Sequence, residues 1–229
     1  MEVARGVVGD AEAAAAEVAR VLVVAARAGG EVALTGGSSP RRAYELAAAA
    51  PWDRAGVWWG DERCVPPGDE RSNYRLARES LLDRLARLPR AVHRVRGELD
   101  PDRAAALYDE EIRGVRLDLV LLGVGADGHV ASLFPRAPEL RERERAAVSA
   151  EPGLEPLVAR VTLTLPKLCE APLVVFLVTG DGKAEAVERA FAGPPDEAVP
   201  ASLVRSAGGR TVAVLDRGAA SRLPPAGRR

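Results

Sequence analysis

The sequence is poor in the residues that build cross-linked, zinc-bound or polyanion-binding proteins. Its 229 residues include two cysteines, Cys64 and Cys169, which lie far apart with no CxxC pair and no Cys/His cluster. That pattern excludes a disulfide framework and offers no zinc-ligand spacing. A reducing compartment is expected, and the cytoplasm fits it. No apolar run approaches the roughly 18 residues of a membrane span, and the amino-terminal residues lack a basic stretch, apolar core and cleavage site. A soluble, unexported protein is expected. The formal net charge of -1 argues against a general binder of nucleic acid or anionic membrane. Lysine is almost missing: of 32 basic residues only Lys167 and Lys183 are lysines, so each invites a reason. Histidine is equally scarce, at His93 and His129.

What is present is globular. Hydrophobic residues make up 47% and charged residues 28% of a chain long enough to bury a sizeable core. One domain over residues 1–229 is expected, with room for two lobes. "DAEAAAAEVARVLVVAARAGG" reads as a helix with Asp10 as N-cap and glycines to end it. "EVALTGG" reads as a short buried strand and "PRRAYELAAAA" as a helix opened by Pro40. "GVWWGDER" is an apolar run ending in charges, and "SNYRLARESLLDRLARL" an amphipathic helix capped by Ser72 or Asn73. Further on, "AVHRV" reads as a strand, "DPDRAAALYDEEIRG" as a capped helix, and "LDLVLLG" as a buried strand. "RVTLTLP", "PLVVFLVTG" and "TVAVLD" are strand-like, "DGKAEAVERAFAG" is helical, and "RGAASRLPPAGRR" reads as a short helix with a frayed tail.

Apolar strands separated by helices predict an α/β fold: a Rossmann-like, open, mainly parallel sheet covered by helices on both faces, with a small additional β lobe as an option. In such a sheet the carboxyl ends of the strands share one edge, where ligands bind. Four segments rich in Gly, Ser and charge end or interrupt predicted elements: "TGGSSP", "GDERCVPP", "GADGHVASLFP" and "TGDGKA". They are expected to meet there.

Each segment has a chemical and a plainer reading. In "LTGGSSP", Gly36 and Gly37 permit close backbone approach, Ser38 and Ser39 offer hydroxyls, and Pro40 opens a helix whose amides favour an anion; a capped turn is the plainer reading. Lys183 opens a helix, where its charge opposes the helix dipole unless it holds an anion; a solvated lysine is the alternative. Asp61, Glu62 and Arg63 read as a wet loop or as a place where Arg63 reaches a substrate oxygen. Nothing around Cys64 lowers a thiol pKa enough for a nucleophile. His129 follows Asp127 in a turn that Gly125 and Gly128 allow, at the end of a buried strand. Imidazole titrates near neutrality, so His129 is a candidate general base with Asp127 steadying its tautomer; a structural histidine is the alternative. Ser132 has no nucleophile elbow around it. His93 reads as a strand residue, and Arg160 as a strand entry or an anion contact.

Taken in order, "GGSSP", "DERCVP" with "SNY", "GVGADGHVASLFP", "RVTLT" and "GDGKA" resemble the motifs of the 6-phosphogluconolactonase family, within the group that includes glucosamine-6-phosphate deaminases. The resemblance spans about residues 35–184, and "PAS" and "TVAVLDRGAA" extend it. Ser39 replaces a Thr, and Val130 stands where the family often has Thr. The resemblance implies hydrolysis of 6-phospho-D-glucono-1,5-lactone with no metal and no organic cofactor, and no nucleic-acid or membrane partner. It implies that His129 activates water with Asp127 in support, and that Gly36, Gly37, Ser38, Ser39 and Lys183 hold phosphate. Arg63 and Arg160 would contact phosphate or sugar-acid oxygens, and backbone amides of the loop from Gly125 through Gly128 to His129 would receive the oxyanion. A monomer or homodimer is expected.

Two rivals remain. Deaminases of this fold continue the DGH motif as IAFNEP, with a carboxylate, and read DEY where this chain has "DER". Sugar-phosphate sensors of this fold usually carry a DNA-binding module, and residues 1–30 hold one predicted helix with no helix-turn-helix pattern.

Overall fold

A computed structural model describes residues 3–153 and 157–224. In chain order the elements are β1 (Val3–Val8), α1 (Ala11–Ala28), β2 (Glu31–Leu34), α2 (Pro40–Ala47), β3 (Gly56–Trp59), β4 (Asp61–Arg63), α3 (Asn73–Ser80), β5 (Ala91–Val92), α4 (Pro101–Ile112), β6 (Leu119–Leu122), β7 (Ala147–Ala150), β8 (Arg160–Leu163), α5 (Leu165–Glu170), β9 (Leu173–Val178), α6 (Ala184–Phe191) and β10 (Arg210–Asp216). Seven strands pair in the order β1-β10-β9-β6-β2-β3-β5, and every pairing among them is parallel. A second, three-stranded antiparallel sheet has the order β4-β8-β7. This is the α/β architecture expected from the sequence, including the small additional β layer.

The strands show little polar alternation because both faces of the sheet are buried. Val32, Leu34, Leu119, Leu121, Val175 and Leu177 turn toward α1 and α2, while Ala33, Val120, Leu122, Val174, Phe176 and Val178 turn to a second core against α4, α5, α6 and the small sheet. Each fully buried side chain of this size contributes roughly 1.5–3 kcal/mol. Helix α1 presents Ala14, Ala15, Val18, Ala19, Leu22 and Ala26 to its core. Its N-terminus is capped by Asp10, whose Oδ1 accepts from the Ala13 amide at 2.8 Å.

The strand order reverses between β2 and β6. After β2 the chain builds outward to β3 and β5; from β6 it builds the other way to β9 and β10. The loops leaving β2 and β6 therefore part in opposite directions and leave a crevice at the carboxyl edge.

Some elements differ from expectation. The charged run Asp61–Arg63 is a strand of the small sheet, not a wet loop, because β8 supplies its hydrogen bonds: Asp61 pairs with Thr162 and Arg63 with Arg160. The helix after Ser72 stops at Ser80, and a 3-10 turn over Leu82–Arg84 follows. Strands β1 and β7 are additional to those expected. Residues 217–223 form turns rather than a helix, and the expected tail, residues 225–229, lies outside the described residues. No helix among the described residues is long and apolar enough to cross a membrane.

Candidate active site

The crevice holds a cleft of about 190 Å³, sized for a small molecule, and three strand ends meet in it. The 35–40 segment follows β2, the 123–131 segment follows β6, and Thr179 with Lys183 follows β9; Asp61, Arg63, Asn73 and Arg160 close it from the small sheet and α3.

After β2, Thr35 is clamped by Tyr44 of α2: the Thr35 amide donates to the tyrosine oxygen at 2.9 Å, and the hydroxyl donates to the Thr35 carbonyl at 2.7 Å. Complete burial pushes the Tyr44 phenol well above its ordinary value, so it stays a neutral donor. Gly36 must lack a side chain, because a Cβ there would stand 1.8 Å from Asn73 Oδ1. Ser39 is the N-cap of α2 yet makes no capping bond; its hydroxyl meets that of Thr179 at 2.9 Å. The first amides of α2 are thus left without a side-chain cap beside the cleft, as an anion site requires.

The loop after β6 brings the expected pair together. His129 Nδ1 lies 2.6 Å from Asp127 Oδ1, which also accepts the His129 amide at 3.1 Å. A proton on Nδ1 leaves Nε2 as the basic nitrogen, and among the described residues nothing hydrogen-bonds it. Burial pulls the Asp127 carboxyl upward, but its hydrogen bond and charge attraction to His129 outweigh that and hold it below the usual value. Phe134 packs against the imidazole, ring centroids 5.0 Å apart. The amides of Gly125 and Gly128 are spent inside the turn, donating to the carbonyls of His129 and Gly125 at 2.9 and 3.0 Å. These two glycines shape the loop, and neither amide is free to receive an oxyanion in this geometry.

The small sheet contributes charge. Arg63 and Arg160 face each other across β4 and β8, a like-charge pairing that is unfavourable by itself. Desolvation and the Arg63 charge together lower the pKa of Arg160. One guanidinium nitrogen of Arg63 donates to the Arg71 carbonyl at 2.6 Å, while its buried Nε finds no partner among the described residues. Both features suit a bound anion.

Lys183, in a 3-10 turn at the head of α6, lines the cleft and forms no ion pair among the described residues. The other lysine has a structural reason: the buried Lys167 ammonium bonds the Val115 carbonyl and Glu170.

Sequence reasoning undervalued Asp61, Glu62 and Asn73. Buried Asp61 accepts from Ser132 Oγ at 2.7 Å and from Asn73 Nδ2 at 3.2 Å, which also commits Ser132 to structure. Glu62 accepts the amides of Arg63, Asn73 and Tyr74, each at 2.7 Å, and the Ser72 hydroxyl at 3.0 Å. Burial pushes its carboxyl above the ordinary value against those bonds. Three charges before a proline-containing loop gave no sign of these partners; the following "SNY" was the available signal. Burial pushes Cys64 up to about 11, which removes it as a nucleophile at neutral pH. His93 lies outside the cleft, stacked on Trp58 and 2.7 Å from Glu111. Among the described residues, no group of three or more His, Cys, Asp or Glu side chains is arranged to hold a metal ion.

Fold and cleft are those of an α/β protein with a small polar cleft at the switch point of a parallel sheet. The chain belongs to the family of glucosamine-6-phosphate isomerases/6-phosphogluconolactonase, whose model matches residues 9–213. It is 37% identical to a 6-phosphogluconolactonase of Streptomyces coelicolor, covering 93% of this chain and 90% of that one. It is 36% identical to the 6-phosphogluconolactonase of Mycobacterium tuberculosis, covering 88% of each. The solved structure of 6-phosphogluconolactonase from Trypanosoma brucei matches with a TM-score of 0.87 at 26% identity, over 97% of this chain and 99% of that one. A monomeric glucosamine-6-phosphate deaminase shares the fold, with a TM-score of 0.85 at 18% identity over 96% and 99% of the two chains.

Proposed function

We propose that this protein is a cytoplasmic lactone hydrolase, a single domain working as a monomer or homodimer. It converts 6-phospho-D-glucono-1,5-lactone to 6-phospho-D-gluconate in the oxidative pentose phosphate pathway, without metal or organic cofactor. The observation that carries the reading is the segment after His129. Set against IAFNEP of the deaminases, "VASLFP" places Phe134 where they carry a carboxylate, and that ring packs on the imidazole. The site keeps one base and loses the extra acid/base group that ring opening and isomerisation of an amino sugar require. Similarity to curated 6-phosphogluconolactonases supports the same choice.

The phosphate of the substrate is held by the α2 amides with Gly36, Gly37, Ser38 and Ser39, by Lys183, and by Arg63 and Arg160 on the other side. This grip lies away from the reacting carbon and supplies orientation. His129 Nε2 takes a proton from water as the water oxygen bonds to C1 of the lactone. The tetrahedral oxyanion then collapses, the C1–O5 bond breaks, and O5 takes the proton back from the imidazolium, which Asp127 stabilises meanwhile. The new carboxylic acid ionises, releasing one proton to solvent.

Proton release during hydrolysis of freshly made lactone, corrected for spontaneous opening, tests the reading. Wild type is expected to exceed the blank, and His129→Ala to lose about 10²- to 10⁴-fold in kcat while still binding 6-phosphogluconate. A wild-type rate equal to the blank overturns the proposal, and glucosamine 6-phosphate becomes the next substrate to assay.

A further inference from the structure

Ala131 lines the cleft two residues beyond the base, and its φ is +50°, in the left-handed region that L side chains rarely adopt. It occupies the first central position of a four-residue turn closed on both sides: the Leu133 amide donates to the Val130 carbonyl at 2.9 Å, and the Val130 amide donates to the Leu133 carbonyl at 3.3 Å. The second central residue, Ser132, does not have positive φ. Turns of that pattern ordinarily take glycine at the first position. The turn is also pinned from outside, because the Ser132 amide donates to Thr162 Oγ1 at 3.2 Å and its hydroxyl to Asp61.

Glycine is plentiful nearby, at Gly123, Gly125 and Gly128, yet the strained position keeps a methyl group. The surrounding bonds already fix the turn, and the methyl, which packs only partly against the core, opposes the backbone it sits on.

We propose that Ala131 is a substrate-binding residue whose Cβ forms an apolar wall of the cleft, packing against the carbon framework of the six-membered sugar lactone beside His129. The inference rests on the lactonase reading and deepens it: the anion grip holds one end of the substrate, and this methyl recognises the body of its ring. The contact is equal in ground and transition states, so it acts on KM rather than kcat.

The test is Ala131→Gly, with lactone hydrolysis, thermal unfolding and inhibition by inorganic phosphate measured on both proteins. The expected result is a melting temperature equal to or above wild type and a KM for lactone raised about fourfold, the worth of one buried methyl. The kcat, its pH profile and the inhibition constant of inorganic phosphate, a probe of the anion grip alone, stay unchanged. An unchanged KM shows the methyl to be idle and overturns the inference, with the lactonase reading intact. A loss in kcat or a moved pH profile also overturns it, assigning Ala131 to support of His129. Wild-type protein without lactonase activity removes both readings together.

Discussion

Gly125 decides whether His129 and Asp127 can meet. A Cβ at Gly125 would stand 2.0 Å from His129 Nδ1 and 2.5 Å from Asp127 Oδ1, so any side chain there displaces the pair. Gly125→Ala is expected to lower lactone kcat/KM by at least about 10²-fold, since displacing a catalytic group by an ångström has that effect; circular dichroism should report a folded protein. Asp127→Asn keeps the shape but removes the charge that, in the proposed mechanism, stabilises the imidazolium. A fall in kcat of about 10²-fold is expected with KM little changed, read from steady-state kinetics. At this scale the sequence was informative about placement where rare residue types fall in local patterns: His129 meets Asp127, and His129 and Lys183 line the same cleft. It was silent on Asp61 and Glu62, whose burial depends on Ser72, Asn73 and Ser132, partners outside their own segment.

Among elements, legibility followed burial and capping. Strands β2, β6 and β9, apolar on both faces, and helices α1, α2 and α4, with Asp10, Pro40 and Asp100 at their starts, were readable from sequence. Edge strand β1 was not: residues 4–7 are exposed, and "VARGVV" carries neither a sustained apolar run nor a bounding turn before it. Strand β7 was hidden for another reason, since its start is fixed by a residue of α4. Asp109 Oδ1 accepts the amides of Ala146 and Ala147 at 2.6 and 3.3 Å, and Oδ2 accepts from Arg113. Burial raises the Asp109 carboxyl, but these bonds outweigh it and hold it below the ordinary value. Its stabilising contribution is therefore complete above the unfolded-state pKa of about 3.9 and disappears as pH falls through the lower folded-state value. Asp109→Asn is expected to lose about 1–3 kcal/mol at neutral pH. In urea unfolding, the gap between variant and wild type should narrow as pH drops below about 4.

For the molecule as a whole, the cleft joins parts that have little else in common: the β2, β6 and β9 loops of the large sheet and the facing arginines of the small one. An anion seated there relieves the repulsion between Arg63 and Arg160 and ties the two sheets together. 6-Phosphogluconate at a hundred times its Kd is expected to add about 2.7 kcal/mol to stability, visible as a rise in melting temperature. Arg63→Met should abolish most of that rise while leaving the unliganded protein within about 1 kcal/mol of wild type, because a like-charge pair disappears with the lost hydrogen bond to Arg71.

The pairing of β1 with β10 sets an order of events during synthesis. Val3–Val8 leaves the ribosome about 200 residues before Arg210–Asp216, its sheet neighbour among the described residues. Strand β1 must wait unpaired while the intervening elements are made, so the growing chain can fold outward from β2 and β6, but this edge of the sheet is completed only when β10 arrives.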